Sequence, residues 1–415
     1  MAATPTETIS ADQQRELFLF ALALVLAMSS WFSTAAVLEQ LRELWVLTSF
    51  EASLLIIVVQ VGFIIGAVLS ALLKLADRIP PRRLILLGTI GAALANFSVV
   101  IGNTLAIGLI GRFLTGLCLA AVYPPALKAI SAWYREGRGL ALGFIVGAIT
   151  IGSALPHLVN AAGGLRWELT LTIVSLLTVA GGLVADRLCH DGPFMERTST
   201  LNPRDVVEVM KTREFQLASA GYFGHMWELY AMWAWVAVFL SDVFPSGQQA
   251  SLAAFVVIGA GAFGSVYSGL QSDRESRANA AALAMRWSAS VAIVTGFLVD
   301  APQVVVLGVA IFWGFWVVAD SAQFSVIVTE VVDENCVGTA LTIQLAVGFI
   351  LTVLTIFLVP IIEQAAGWGW AFLVLAPGPL LGAWAMRSLR LGPRKSRTPV
   401  AVPEPEPEVF VSPFF

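Results

Sequence analysis

The sequence predicts an all-α integral membrane protein in which two six-helix bundles are related by a pseudo-two-fold axis along the membrane normal. Composition is the first reason: of 415 residues, 58% are hydrophobic and 13% are charged, against roughly 25% charged residues in a soluble domain. The mean hydropathy is +0.82. The second reason is the number of apolar runs that can cross a bilayer, and the third is an internal repeat.

Twelve apolar runs are long enough to span a membrane, because a spanning helix needs about 20 mainly apolar residues. The first six cover 17–40, 52–73, 84–101, 105–127, 139–161 and 168–185. The second six cover 216–240, 250–270, 279–299, 303–328, 339–362 and 369–387. The two groups of six predict the two bundles.

The two halves carry matching features at nearly one spacing, which is typical of a duplicated chain. An Asp-Arg pair follows the second apolar run in LKLADRIPPRR and the eighth run in GLQSDRESR. Asp77 and Asp273 are 196 residues apart, and so are Trp31 and Trp227. Because the repeats run in the same order, we expect two bundles of the same topology.

Positive charges are concentrated on one side of the predicted helices. With the amino terminus inside, 20 of the 24 Lys and Arg residues fall in inner segments. Since Lys and Arg are enriched in cytoplasmic loops, we expect both termini in the cytoplasm. The expected location is the plasma membrane, as a multi-pass protein of a bacterial inner membrane.

The apolar runs also set the expected domain boundaries. Residues 1–16 form a cytoplasmic tail that lacks the basic cluster of a cleavable signal. Residues 17–185 form the amino-terminal bundle and 215–388 the carboxy-terminal bundle.

Two segments outside the bundles have compositions of their own. Residues 186–214 are expected to be a cytoplasmic linker, in which Asn202 and Pro203 begin a short amphipathic helix at the membrane surface. Residues 389–415 are rich in Pro and Glu, so we expect a disordered cytoplasmic tail.

Several motifs resemble those of the major facilitator superfamily over about residues 15–390. The family turn between the second and third helices has two Gly positions, occupied here by Leu73 and Pro80, and its Asp-Arg pair and two basic residues are kept. The second copy keeps Gly269 with its Asp-Arg pair. The fourth helix shows a further family pattern in Arg112, Gly116, Ala120 and Pro124.

The resemblance implies two bundles that rock about a central site and expose it to alternate sides. The position of the doubled turn at the cytoplasmic ends of helices predicts a gate, because its Asp and Arg residues can form ion pairs that exist in one conformation only. The gating residues are then Asp77, Arg78, Arg82, Arg83, Asp273, Arg274 and Arg277. Alternatively, Arg82 and Arg83 only serve the positive-inside rule.

Ionisable residues inside the membrane are the best candidates for function, because a charge at the bilayer centre is costly unless it faces a partner or a cavity. Four residues lie deep in the predicted helices: Arg112, His225, Glu228 and Asp320. In the seventh run His225 and Glu228 are one turn apart on one face, and Trp227 and Tyr230 add aromatic surface beside them. This face is expected to line the substrate and proton site, whereas Trp233 and Trp235 could instead belong to an interfacial belt.

The tenth run places Trp316, Asp320 and Gln323 on one face at helical spacing. Asp320 is the candidate proton carrier, since burial disfavours a charged carboxyl group. Two alternatives stay open for its neighbourhood. Asp320 could pair with Arg112 across the cavity, and Arg112, which resembles an Arg of the family's proton-coupled members, could bind the carboxylate of an anionic substrate.

Glycines in the fifth run, among them Gly143, Gly147 and Gly152, predict close helix contact. They partly resemble the antiporter pattern of the superfamily, so export is possible.

The predicted function is a secondary active transporter for a small organic solute, coupled to protons by symport or antiport. Alternatives are an organic anion uniporter or exchanger that uses Arg112, and a transporter-like receptor or assembly protein without transport. An enzyme is not expected, because metal-ligand spacings, nucleophile elbows and phosphate loops are absent from the sequence. We expect a monomer in the lipid bilayer, without cofactor, metal or nucleic acid.

Overall fold

The computed structural model describes residues 10–134, 138–164, 166–194, 209–274, 276–332 and 336–389. In these residues the chain forms twelve long helices, α1–α12, and no β-strand. Their bounds are α1 (Ala11–Ala27, continued by Met28–Ser30 and Ser33–Ala36), α2 (Ser49–Leu72), α3 (Pro81–Gly102), α4 (Leu105–Leu119 and Tyr123–Ser131), α5 (Arg138–Ala162), α6 (Trp167–Leu188), α7 (Arg213–Val243), α8 (Gly247–Arg274), α9 (Arg277–Thr295), α10 (Gln303–Ala319 and Ser321–Val331), α11 (Val337–Ala366) and α12 (Trp368–Leu373 and Pro377–Ser388).

Ten of these helices are long and apolar enough by themselves to cross a membrane. The other two are α1 and α7. The first continuous part of α1 has only 17 residues, because the helix breaks after Ala27. Helix α7 is long, with 31 residues, but its Trp, Tyr, His and Glu side chains lower its hydropathy.

The first helix begins at Ala11, six residues before the expected bundle boundary at residue 17. A capping box accounts for the earlier start. The Gln13 backbone N–H donates to Ser10 Oγ at 3.2 Å, and the Ser10 backbone N–H donates to Gln13 Oε1 at 2.9 Å. Residues 11–16 are therefore helical, and the hydrophobic pattern alone placed the boundary too late.

The helices pack into two groups of six, α1–α6 and α7–α12, which confirms the predicted fold class. In the first group α2 packs on α4, and α6 packs on α1 and α3. In the second group α8 packs on α10, and α7 packs on α11 and α12. The pairs α2–α4 and α8–α10 correspond to each other in the sequence repeat. Both ends of the described chain lie on one side, here called the inner side, and the opposite side is called the outer side.

Two seams join the bundles, α5 against α8 and α2 against α11. In the first seam a Cβ atom added to Gly143 would lie 2.6 Å from the backbone oxygen of Ser265, so the two helices approach each other closely. The Ser265 hydroxyl donates to the Gly143 carbonyl at 3.0 Å. This is the close contact expected of the glycines in α5.

The second seam is held near the outer side by Phe50 of α2 and Phe357 of α11, whose ring centroids are 5.5 Å apart. Gln364 also donates to the Ser49 hydroxyl across this seam. The two bundles are therefore in contact on the outer side.

Three central helices break in the middle. Helix α1 breaks at Met28–Ser30, α4 at the turn 120–122, and α10 at Asp320. Asp320 ends one helical segment and precedes the next. The breaks in α4 and α10 lie 200 residues apart, close to the spacing of the repeat. They position the side chains of the central site.

The inner ends of α1, α4 and α6 are tied together by polar contacts. The carboxylate of Glu16 accepts from the His190 backbone N–H at 2.9 Å and lies 2.8 Å from His190 Nδ1. The Gln13 side chain donates to the Trp133 carbonyl at 2.7 Å. The amphipathic helix expected near Asn202 and the tail beyond Leu389 lie outside the described residues.

Candidate functional site

Seven aromatic side chains meet at the centre of the molecule, where the two bundles face each other. This aromatic cluster consists of Trp31, Phe32, Phe63 and Tyr123 from the amino-terminal bundle and Tyr230, Trp233 and Phe349 from the carboxy-terminal bundle. Trp31 and Phe32 are buried at the break in α1, Phe63 lies in the middle of α2, and Tyr123 begins the second part of α4. Five different helices thus build one site.

The rings of the aromatic cluster contact each other across the seam. The Phe63 ring lies 4.7 Å from Trp31 and 4.8 Å from Phe349 between centroids. Phe32 meets Trp233 edge to face at 5.6 Å. Such pairs contribute about 0.5–1.5 kcal/mol each beyond the burial of their area, so the cluster holds the bundles together in this state.

A small cavity of about 30 Å³ adjoins the aromatic cluster. Its lining residues are Met28, Tyr123, Val146, Ile149, Thr150, Leu229, Tyr230, Trp233, Val318 and Ser321. They come from both bundles and include no Lys, Arg, Asp or Glu. A void of this size holds about two water molecules.

His225 and Asp320 form a buried pair beside this cavity. His225 Nδ1 lies 2.8 Å from Asp320 Oδ1, and the two side chains are 1% and 4% exposed. The angle between them is not that of a well-formed hydrogen bond. Leu229, one turn after His225, and Val318 and Ser321, on either side of Asp320, all line the cavity.

Glu228 does not share the surroundings of His225. Its carboxylate accepts from the Ser288 hydroxyl at 2.8 Å and from the Trp313 indole N–H at 2.7 Å. Ser288 belongs to α9 and Trp313 to α10, so Glu228 joins three helices inside the carboxy-terminal bundle. Its contacts are those of a buried structural acceptor.

Arg112 is fully buried in the amino-terminal bundle. Its guanidinium donates to the Ser30 carbonyl at 2.8 Å, to Ser33 Oγ and Asn96 Oδ1 at 3.1 Å, and to the Trp31 carbonyl. Among the described residues no carboxylate lies within 4 Å of it. In this structure Asp320 faces His225 and is not paired with Arg112.

The remaining predicted site residues divide into three environments. Tyr230 belongs to the aromatic cluster. Trp227 does not, because its indole N–H donates to the Val374 carbonyl of α12 at 2.9 Å. Trp316 contacts Tyr267 and Trp287, which are 46% and 47% exposed, so it lies toward the periphery.

Gln323 is fully buried, and neither atom of its amide group has a hydrogen-bond partner. The break at Asp320 explains why Trp316 and Gln323 do not share one face. A continuous helix would have aligned them with Asp320.

Two residues of the predicted gate form ion pairs, and neither pair links the two bundles. Arg82 Nε lies 3.8 Å from Asp191 in the segment after α6. Arg277 pairs with Glu330 at the end of α10. Arg78, Arg83 and Arg274 are exposed, and the side chains of Asp77 and Asp273 lie outside the described part of the chain.

Sequence reasoning missed most of the aromatic cluster. Trp31, Phe32, Phe63, Tyr123 and Phe349 lie in four helices that are far apart along the chain, and an isolated aromatic residue in an apolar run carries no signal. Trp233 was assigned to an interfacial belt as one alternative, yet it is 3% exposed and packs on Phe32. Only the prolines after Tyr123 mark a break in α4 that a sequence could reveal.

The fold and the central cavity define the class of the protein, a helical membrane protein with a cavity between two six-helix bundles. A model of the Major Facilitator Superfamily matches residues 19–241, which is more than half of the chain. The chain belongs to the Major Facilitator Superfamily.

Two fungal relatives are similar to part of the chain. The MFS-type transporter pytF of Aspergillus terreus is 27% identical over 182 residues, which cover 40% of this chain and 56% of that protein. The MFS transporter asaE of Aspergillus flavus is 28% identical over 179 residues, which cover 40% of this chain and 38% of that protein. The match therefore spans less than two thirds of the length of either relative.

Solved structures share the fold over nearly the whole chain. A bacterial homologue of the human lysosomal transporter Spinster, in an inward-facing and unoccupied conformation, has a TM-score of 0.69 at 14% identity and covers 92% of this chain and 99% of its own. A D-xylose-proton symporter has a TM-score of 0.72 at 15% identity and covers 91% and 97%. At this identity the likeness extends to the fold alone.

Proposed function

We propose that the protein is a secondary active transporter that couples protons to the movement of a small organic solute by alternating access. The observation that carries the proposal is the buried pair of His225 and Asp320, 2.8 Å apart, beside the cavity between the bundles. Both groups can take up a proton, and the pair is formed by α7 and α10 at the point where α10 breaks.

A proton on this pair changes its net charge by one. The bilayer centre penalises an unpaired charge by at least about 2.5–3.5 kcal/mol on insertion scales, so the pair favours different arrangements of α7 and α10 in its two protonation states. The break at Asp320 lets the two parts of α10 tilt separately. Because Val318 and Ser321 flank the break and line the cavity, the solute and the proton act on the same segment.

Alternating access follows from the two seams. The pairs α5–α8 and α2–α11 are the places where the bundles slide and separate when they rock. In the present state the outer contacts, such as Phe50 with Phe357, keep the outer side closed. Separation at the aromatic cluster would enlarge the site for a solute.

Arg112 is not well placed to bind the carboxylate of an anionic solute. Its two terminal nitrogens, Nη1 and Nη2, already donate to oxygen atoms of α1 and α3, and the side chain is fully buried. We therefore favour proton coupling through His225 and Asp320 over anion exchange through Arg112.

We propose further that both termini face the cytoplasm, since 20 of the 24 basic residues then lie inside. This argument applies to the plasma membrane of a bacterium or of a fungus. A single chain contains both bundles and the whole cavity, so a monomer suffices for transport.

The test begins with a thermal-shift screen of organic acids, amines, sugars and aromatic compounds, because a ligand of the folded state raises its apparent stability. The compound that raises the melting temperature most is then used in proteoliposomes with an imposed pH gradient. We expect gradient-driven accumulation in wild type and its loss in Asp320→Asn, with binding retained.

Glu214→Gln is the control, because Glu214 is an exposed carboxylate at the start of α7, the helix that carries His225. Equal accumulation in wild type and Asp320→Asn would reject the proton site. Binding without any flux in wild type would favour the receptor alternative.

A further inference from the structure

Two tryptophans of the aromatic cluster have buried indole N–H groups without a hydrogen-bond acceptor, Trp31 and Trp233. We infer that the cluster binds a flat, uncharged aromatic molecule that carries acceptor oxygens, such as the carbonyl of an aryl ketone or lactone. This inference names the solute class of the proposed transport function, but it does not depend on proton coupling.

Most buried indole N–H groups of the carboxy-terminal bundle are paired, and among its described residues only Trp316, toward the periphery, resembles Trp233 in lacking an acceptor. Trp227 and Trp235 each donate to a backbone carbonyl at 2.9 Å, and Trp313 donates to Glu228 at 2.7 Å. A buried donor without an acceptor is costly. Trp31 and Trp233 would therefore be stabilised by oxygen atoms that a ligand supplies.

The surroundings also exclude a strong preference for a charged ligand. The cavity lining contains hydroxyl, thioether, aliphatic and aromatic groups, and no charged side chain. Two charged residues of the central helices are engaged elsewhere, Arg112 with α1 and α3 and Asp320 with His225. A charged ligand would lose its hydration without gaining an opposite charge, and this penalty is large in a water-excluded site.

Ring packing across the bundles accounts for the flat shape. Phe32 with Trp233 and Phe63 with Phe349 are aromatic pairs formed by one ring from each bundle. The present cavity of about 30 Å³ is too small for a bicyclic molecule. When the bundles separate, a flat ligand could insert its rings between those of the protein. Each lost contact between two protein rings would then be replaced by a contact with a ligand ring.

Three probes of similar size test the assignment: coumarin, which is flat and has a lactone carbonyl, naphthalene, which has no oxygen, and 2-naphthoate, which is an anion. Binding is measured by equilibrium dialysis of the purified full chain in detergent, with detergent alone as the reference for micelle partition. We expect coumarin to bind at least about tenfold more tightly than either other probe, as one or two hydrogen bonds allow.

The variants Trp31→Phe and Trp233→Phe keep an aromatic ring and remove the N–H group. Each should weaken coumarin binding roughly fivefold, as expected for one hydrogen bond, and leave naphthalene binding unchanged. Trp384→Phe is the control, because Trp384 is 65% exposed on the surface of α12. Thermal melting of each variant shows whether it remains folded.

The inference would be overturned if 2-naphthoate bound most tightly of the three probes. It would also be overturned if coumarin and naphthalene bound with equal affinity and neither Trp31→Phe nor Trp233→Phe changed that affinity. Binding of none of the probes above the detergent reference would also overturn it. These outcomes are separable from the failure of proton coupling. Coumarin binding together with normal gradient-driven accumulation in Asp320→Asn would reject the proton site and leave the solute class in place.

Discussion

The guanidinium group of Arg112 donates a hydrogen bond to the backbone carbonyl of Trp31, so a side chain of α4 holds the break in α1. A second bond goes to the Ser30 carbonyl. These carbonyls lack their helical partners because the helix is broken there, and a buried unpaired carbonyl is costly. Arg112 thereby positions Trp31 and Phe32 in the aromatic cluster.

Replacing Arg112 should loosen this arrangement. Arg112→Lys keeps the charge but has one nitrogen instead of a planar fork, so it cannot reach the same oxygens of α1 and α3. We expect a loss of roughly 2–4 kcal/mol in the free energy of unfolding, as for the removal of charged buried hydrogen bonds, measured by thermal or denaturant unfolding in detergent. Arg286→Lys is the control, because Arg286 donates to the Ala282 carbonyl of its own helix and, among the described residues, ties no other helix to α9. Equal losses in both variants would contradict the special role of Arg112.

Glu228 should behave as a structural acceptor rather than as the proton carrier. Glu228→Gln keeps an oxygen for Ser288 and Trp313, whereas Glu228→Leu leaves both donors unpaired. We expect Gln to retain most of the stability and the gradient-driven accumulation, and Leu to lower the melting temperature by several degrees. The measurement compares melting and proteoliposome flux in the same preparations. Loss of proton coupling in a well-folded Glu228→Gln protein would show that Glu228, too, carries protons.

The α5–α8 seam should not tolerate a larger residue at Gly143. A Cβ atom there would lie 2.6 Å from the Ser265 backbone oxygen, and backbone cannot give way cheaply. Gly143→Ala should therefore lower stability by about 1–3 kcal/mol, as overpacking does. Gly259→Ala in α8 is the control, because its added Cβ meets nothing within 4 Å. If Gly143→Ala left the free energy of unfolding unchanged, the α5–α8 seam would be able to widen without loss of stability, contrary to this prediction.

Cys189 should resist thiol reagents at neutral pH. It lies just after α6 and is 1% exposed. Burial, together with the negative charge of the Glu16 carboxylate, raises the pKa of its thiol to about 12. A variant that keeps only Cys189 should react with a maleimide on the order of 100-fold more slowly than a free thiol at pH 8, and at the normal rate in denaturant. Because the unfolded thiol loses its proton first, stability should fall as the pH rises from about 8.5 toward 12. Rapid labelling of the folded variant would contradict both the burial and the shift.

The architecture could be predicted from the sequence because its signals are local or additive. The length of each apolar run predicts a membrane helix. The repeated turns at Asp77 and Asp273 indicate the duplication, and neither inference requires knowledge of how the helices pack. The start of α1 was misplaced because the hydrophobic pattern outweighed the capping box of Ser10 and Gln13. Both residues were visible in the sequence.

The site was predicted only in part, because contacts between distant helices decide it. His225 and Asp320 were found as deep ionisable residues, but their pairing depends on the break in α10. Trp31 and Trp227 are matched by the repeat, yet one faces the aromatic cluster and the other the carbonyl of Val374. Duplicated positions diverge in orientation once their helices bend differently.

The hydrogen bonds of Arg112 and Glu228 also imply an order of membrane insertion. The partners of Arg112, in α1 and α3, leave the ribosome before it does, so its charge is satisfied as soon as α4 enters the bilayer. Ser288 and Trp313 follow Glu228 by 60 and 85 residues. During synthesis the Glu228 carboxyl group therefore lacks these two hydrogen-bond donors. Until α9 and α10 are inserted, it must be protonated or α7 must remain at the translocon.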